Sequence, residues 1–153
     1  MTTARTLPPG RQRVAPAVWL GSAGPVSRRI AGWVEAGGMD LLVVDGAAVP
    51  LSWLLDAAPL LSILILDGAW CRDLPGAIEC CRQVRCRASK LPFLLVAPAT
   101  GWTGPRGLLP MQCDAVLRFP ADEEEFWIAL ALAGENRTWA QEMTRRRHLP
   151  DDG

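Results

Sequence analysis

The sequence has no tyrosine, one histidine (His148) and one lysine (Lys90). A lone histidine in the tail leaves no partner for a Cys–His nucleophile. The five cysteines, Cys71, Cys80, Cys81, Cys86 and Cys113, are odd in number and form no CxxC pair. That argues against both a disulfide framework and a zinc site. Sixteen acidic residues balance sixteen basic ones, so no net field holds the chain on nucleic acid or an acidic membrane. No run approaches the ~18 apolar residues of a membrane span. The N-terminus carries arginines and prolines but not the apolar core of a signal peptide. These absences predict a reduced, cytoplasmic protein with no metal, no cofactor, no membrane contact and no nucleic acid bound by itself.

What is present is a core. Half of the 153 residues are hydrophobic, enough for one domain. Residues 1–13, rich in Thr, Arg, Pro and Gly, read as a flexible arm. From there short apolar runs alternate with helical segments. The strands are expected at 14–21, 40–46, 62–67, 91–97 and 114–119. The helices are expected at 25–38, 50–59, 74–87 and 122–147, with a weak helical turn at 103–112. Pro25 opens the first helix, Val26, Ile30, Trp33 and Val34 recur at helical spacing, and Gly37–Gly38 stops it. Continuous apolar strands imply burial on both faces, hence a parallel sheet with helices on each side.

Several features invite functional readings. "ILILDGAW" (63–70) runs a buried strand straight into Asp67. "GSAGP" (21–25) joins a strand to a helix, where backbone amides can cradle an anion. It lacks GxGxxG or Walker spacing and reads as a tight turn. Cys80–Cys81 points one thiol inward and one outward on a helix, as ordinary small packing residues. Arg82, Arg85 and Arg87, with Arg72, form a basic edge without the aromatic pattern of nucleic-acid stacking. No acid–base pair or cofactor fingerprint marks an enzyme.

The stretch "ILILDGAWCRDLPGAIECCRQVR…LPFLLVAP", followed by "CDAVLRFPADEEEF", resembles a response-regulator receiver domain. The resemblance covers roughly 14–135 and implies an α/β, flavodoxin-like (βα)5 fold: a doubly wound, parallel, five-stranded sheet. It places Asp67 on the phospho-acceptor position, Gly76 on the loop glycine and Pro120 after the fifth strand. In that family an acid pair after the first strand holds Mg²⁺, a Thr or Ser after the fourth strand contacts the phosphoryl group, and a Lys after the fifth neutralises it. Here those positions read Gly21–Ser22, Ala97 and Phe119. Phosphoryl transfer is mostly charge placement, so these losses remove the catalysis. Arg118 is adjacent, but alternation turns neighbours on a strand to opposite faces. Asp45 cannot end the first strand, because the 21 residues between it and Asp67 are fewer than the ~30 of a βαβ unit.

The last helix departs from a monomer's pattern. Asp122 is a candidate N-cap, three glutamates fill the first turn and three arginines the last, all suited to the helix dipole. At about 100° per residue, Phe126, Ala129, Leu130 and Ala133 form one stripe. Ile128, Leu132, Trp139 and Met143 form a second, nearly opposite stripe, which one sheet cannot cover. Trp102 is a weaker candidate contact. The expectation is a non-catalytic pseudo-receiver in bacterial signalling or regulation, dimerising or docking a protein partner through the last helix. The alternative is an atypical receiver that responds to a ligand or phosphate and switches a partner through that helix. Residues 136–153 read as an extension of the helix and a tail, too short for the DNA-binding or ATPase domain that often follows a receiver.

Overall fold

The structure is a computed structural model, described here for residues 15–46, 49–71, 74–97 and 114–148. The expected arm, the turn at 103–112, Trp102, Arg72, Cys113 and the side chain of Trp139 lie outside the described residues.

Five strands, β1 (Ala17–Gly21), β2 (Leu41–Asp45), β3 (Ile63–Asp67), β4 (Phe93–Ala97) and β5 (Ala115–Arg118), form one sheet in the order β2-β1-β3-β4-β5. Every pairing is parallel. The helices are α1 (Pro25–Ala36), α2 (Leu51–Asp56), α3 (Leu74–Arg87) and α4 (Glu123–His148). The expected helix at 50–59 is a short helix and a separate 3-10 turn at Ala58–Leu60, broken where Pro59 enters.

Alternation divides the core into two layers. On one face Val18, Leu20, Leu64 and Leu66 meet Leu54 of α2 and Cys81 and Val84 of α3. On the other, Trp19, Ile65 and Val96 meet Ile30 and Val34 of α1 and Phe126 and Ala133 of α4. Each of β1, β3 and β4 is buried along its whole length, as a parallel strand covered on both faces should be. The edge strand β2 departs from that expectation. Leu42 is 50% and Val43 44% exposed. A strand with one neighbour, beside the short α2, is not covered as the central ones are.

The ends of the helices explain their placement. Ser27 Oγ accepts the Gly24 N–H at 2.8 Å and donates to the Gly24 carbonyl at 2.9 Å, tying down the start of α1. Asp122 Oδ1 accepts the Glu125 N–H at 2.8 Å, a cap worth about 1 kcal/mol at the start of α4.

At the N-terminal edge of the sheet, Asp114 accepts the Phe93 N–H at 2.8 Å and pairs with Arg85. Burial pushes the Asp114 carboxyl above its ordinary range even with Arg85 beside it. Asn136 of α4 donates to the Asp114 carbonyl at 2.7 Å. That contact marks where α4 passes the beginning of the strands. The helix has 26 residues, about 39 Å at ~1.5 Å each, against about 17 Å for a five-residue strand. Its last turns therefore run beyond the sheet.

Candidate functional site

Because all strands are parallel, their C-terminal residues share one edge: Gly21, Asp45, Asp67, Ala97 and Arg118. The chain leaves β1 toward β2 on one side and has β3 on the other, so the crevice between β1 and β3 is the topological switch point. Open α/β sheets take their ligands there. Gly21 and Asp67 flank it.

Asp67 is 8% exposed. Its Oδ2 accepts the Ser22 N–H at 3.2 Å, and its Oδ1 accepts the Ala69 N–H at 3.1 Å. Both carboxylate oxygens are thus engaged by backbone amides of the two loops they join. The backbone of Gly21 presses against the same side chain: a Cβ there would stand 2.2 Å from Asp67 Cβ and 2.8 Å from Oδ2. The Trp19 indole donates to the Ser22 carbonyl at 3.2 Å and fixes this turn. The expected acid-pair position is thus Gly21, where a Cβ would force Asp67 to shift, and Ser22, which is exposed.

The remaining expected pocket positions are apolar. Ala97 is buried at the end of β4. Phe119 takes part in the α1–α4 packing instead of offering a charge. Its ring stacks on Trp33 with centroids 6.0 Å apart, Trp33 lies 5.4 Å from Phe126, and Phe126 meets Trp127 at 5.3 Å. Arg118 is exposed. Gly76 falls in the first turn of α3, not in the preceding loop where the motif places it. Asp45 ends β2 and is paired in register with Gly21. It stands two strand spacings from Asp67, about 10 Å.

Sequence reasoning missed the lock above this crevice. Trp70 lies so close over Gly46 that a Cβ at Gly46 would be 2.2 Å from the indole, and the Gly46 N–H donates to the Gly21 carbonyl at 3.3 Å. The signal was "DGAW" beside "VVDG": a bulky ring and a glycine at the ends of strands that prove to lie on the same edge.

The basic edge is paired. Arg82 bonds Glu79 at 2.6 Å, Arg87 bonds Asp56 at 2.5 Å, and Arg85 is held by Asp114. These three charges are matched by carboxylates and present no unopposed positive stripe.

On α4, Phe126, Ala129 and Ala133 are buried, with Leu130 packed beside them. Ile128 is 55% and Leu132 45% exposed, one helical turn apart on the opposite face. Met143 is half-buried on the segment that overruns the sheet. No helix among the described residues is long and apolar enough to cross a membrane.

A response-regulator receiver domain protein from Clostridium thermocellum superposes on the chain with a TM-score of 0.63, at 13% identity, over 83% of this chain and 99% of its own. The fold is that of a response-regulator receiver. A CheY-like response regulator from Mesorhizobium loti matches at 24% identity with a TM-score of 0.53, over 78% of this chain and 99% of its own. NtrX from Brucella abortus matches at 15% identity with a TM-score of 0.62, over 88% of this chain and 29% of NtrX. The chain spans under a third of that protein. No family model and no curated protein matches the sequence.

The receiver fold implies Mg²⁺ at the crevice, and the residues present do not fit it. Hard cations need several oxygen ligands. Of the two strand-end carboxylates that flank Gly21, Asp67 already accepts an amide on each oxygen, and Asp45 stands about 10 Å from it across β1. Among the described residues no group of three His, Cys, Asp or Glu side chains could hold a metal ion.

Proposed function

We propose that the chain is a pseudo-receiver: a receiver fold that carries no phosphoryl chemistry and works as a protein–protein interaction module in bacterial signalling. The observation that carries this reading is the closure of the crevice by Gly21 against Asp67. A phospho-acceptor must offer a free carboxylate oxygen, with a cation ready to take up the transferred charge. Asp67 is instead the clasp between the β1–α1 and β3–α3 loops, and the lysine position contributes an aromatic ring to the core.

With the crevice built as structure, we assign association to the outer face of α4, although Leu42 and Val43 of β2, Trp53 and Leu60 are exposed as well. Ile128 and Leu132 stand in water, and half-buried Met143 lies further along the same helix, beyond the sheet. Burying such side chains is worth about 1.5–3 kcal/mol each. A second copy is the occupant this face fits, since one self-complementary patch then serves both subunits and the chain's zero net charge opposes no approach.

Incubation with acetyl phosphate and Mg²⁺, read by intact mass, tests the chemical half of the proposal. The protein should stay unmodified. A stable phosphoryl adduct that disappears in Asp67→Asn would overturn it.

A further inference from the structure

The outer stripe of α4 and the charged ends of the helix share one centre. By helical spacing, the positions of Ile128, Leu132, Trp139 and Met143 fall within about 60° of one another. Ile128 stands five residues after the first residue of α4 and Met143 five before the last. Leu132 and Trp139 stand nine residues from those same two ends. The first turn carries Glu123, Glu124 and Glu125, all exposed, and the last turn carries Arg145, Arg146 and Arg147. The midpoint between the two charged turns is Glu135, within one residue of the midpoint of the stripe.

We propose that two copies of the chain pair antiparallel along α4, about a twofold axis that crosses the helix at Glu135 and Asn136. The proposal rests on the association assigned to this face above and specifies its geometry. In this register Ile128 comes opposite the partner's Met143, Leu132 opposite the partner's Trp139, and Glu125 opposite the partner's Arg146. The twofold repeats each pairing, so apolar positions meet apolar ones and acidic positions meet basic ones at both ends.

Charge decides between the two directions. A parallel pair would set each residue opposite its own copy. Three glutamates would then face three glutamates and three arginines three arginines, and like charges across a contact reject a partner. A parallel pair would also align the two helix dipoles, whereas antiparallel helices set each positive end beside a negative one. Exposed ion pairs add little affinity. The charged turns therefore choose the orientation, and the apolar stripe supplies the attraction.

The arrangement also accounts for the length of α4. Beyond Asn136, which bonds the Asp114 carbonyl, the helix runs past the start of the strands, where its own sheet cannot cover it. Antiparallel pairing lays that segment on the partner's first half, where Ile128 and Leu132 are exposed. Glu135 is exposed and falls just outside the stripe. It approaches its own copy across the axis, at a rim that stays in contact with solvent.

Arg146→Lys tests the register with its charge kept, in a chain whose native sequence has Lys90 as its single lysine. Light and heavy-isotope copies of the full-length variant exchange subunits, verified by native mass. A carbodiimide then joins amines to nearby carboxylates, and the digest is read for links between a light and a heavy peptide. We expect the introduced lysine joined to Glu124 or Glu125 of the other copy. A dimer in which it joins Glu142 of the other copy, as parallel helices would place it, or joins neither Glu124 nor Glu125, overturns the register and leaves association standing. A chain that sediments as a monomer overturns both. As a second readout, Glu125→Arg should weaken the dimer and Glu125→Arg with Arg146→Glu should restore it, with unchanged helix content in both. A double variant no tighter than the single one would also overturn the antiparallel pairing.

Discussion

Gly21 and Asp67 touch: the β1 backbone lies so near the β3 carboxylate that a Cβ on Gly21 would stand 2.2 Å from Asp67 Cβ. The contact makes Asp67, which the resemblance to receivers would place at the phospho-acceptor position, a joint between two loops. Its consequences are measurable.

Gly21→Ala should destabilise the fold by about 1–3 kcal/mol, the usual cost of overpacking, because the atoms it meets belong to a side chain fixed by two amides. Urea unfolding gives the value. Gly21→Asp should cost at least as much and should not restore Mg²⁺-dependent labelling by acetyl phosphate. A stable Gly21→Asp protein that binds Mg²⁺ would show that the crevice is open.

Asp67→Asn tests the clasp. Viewed only as the end of a strand, the residue predicts a change of no more than ~1 kcal/mol. The two accepted N–H groups raise that expectation. Asparagine has one acceptor oxygen, so either Ser22 or Ala69 loses its partner, at about 1–3 kcal/mol. Self-association should be unaffected, because Asp67 is buried and its hydrogen bonds go to Ser22 and Ala69, not to α4. A variant as stable as wild type would mean that the two amide contacts contribute nothing.

Much of this fold is legible in the sequence because local and global signals agree. "SILILD", "LPFLLVA" and the helical spacing of Ile30, Trp33 and Val34 each name an element and its buried side. Asp45 could be assigned to the second strand from chain length alone. The contacts that define the crevice were not legible in the same way. Gly21 meets Asp67 only through the register of β1 on β3, and Trp70 meets Gly46 only through the strand order. Exposure of Leu42 and Val43 depends on β2 being the edge, which an apolar run does not reveal. Phe119 could be read as a missing lysine, but its place against Trp33 depends on how α1 and α4 pack.

Arg85→Ala should be strongly destabilising, by about 3 kcal/mol, since it leaves the Asp114 carboxylate without its ion-pair partner in a mostly buried setting. The effect has a sign in pH. Burial already raises the Asp114 pKa, and Arg85 opposes that rise. Asp114 therefore contributes stability that is full below its unfolded value and is lost as pH rises through its folded value. Without Arg85 the folded value climbs further, so the loss extends to higher pH. The difference between wild type and Arg85→Ala should be larger at pH 7 than at pH 4. Equal differences at both would remove Asp114 from the explanation.

The central claim is that this receiver fold acts by association through α4, and sedimentation of the wild type beside Leu132→Glu and Trp139→Glu measures it directly. Leu132 is exposed on the outer stripe, and a charge there leaves the packed stripe of Phe126, Ala129 and Ala133 intact. Trp139 is the stronger single test, because aromatic anchors dominate interfaces. The account predicts a wild-type dimer, and variants that sediment as monomers with unchanged helix content. A wild type that stays monomeric at high concentration, or glutamate variants that remain dimeric, would contradict it.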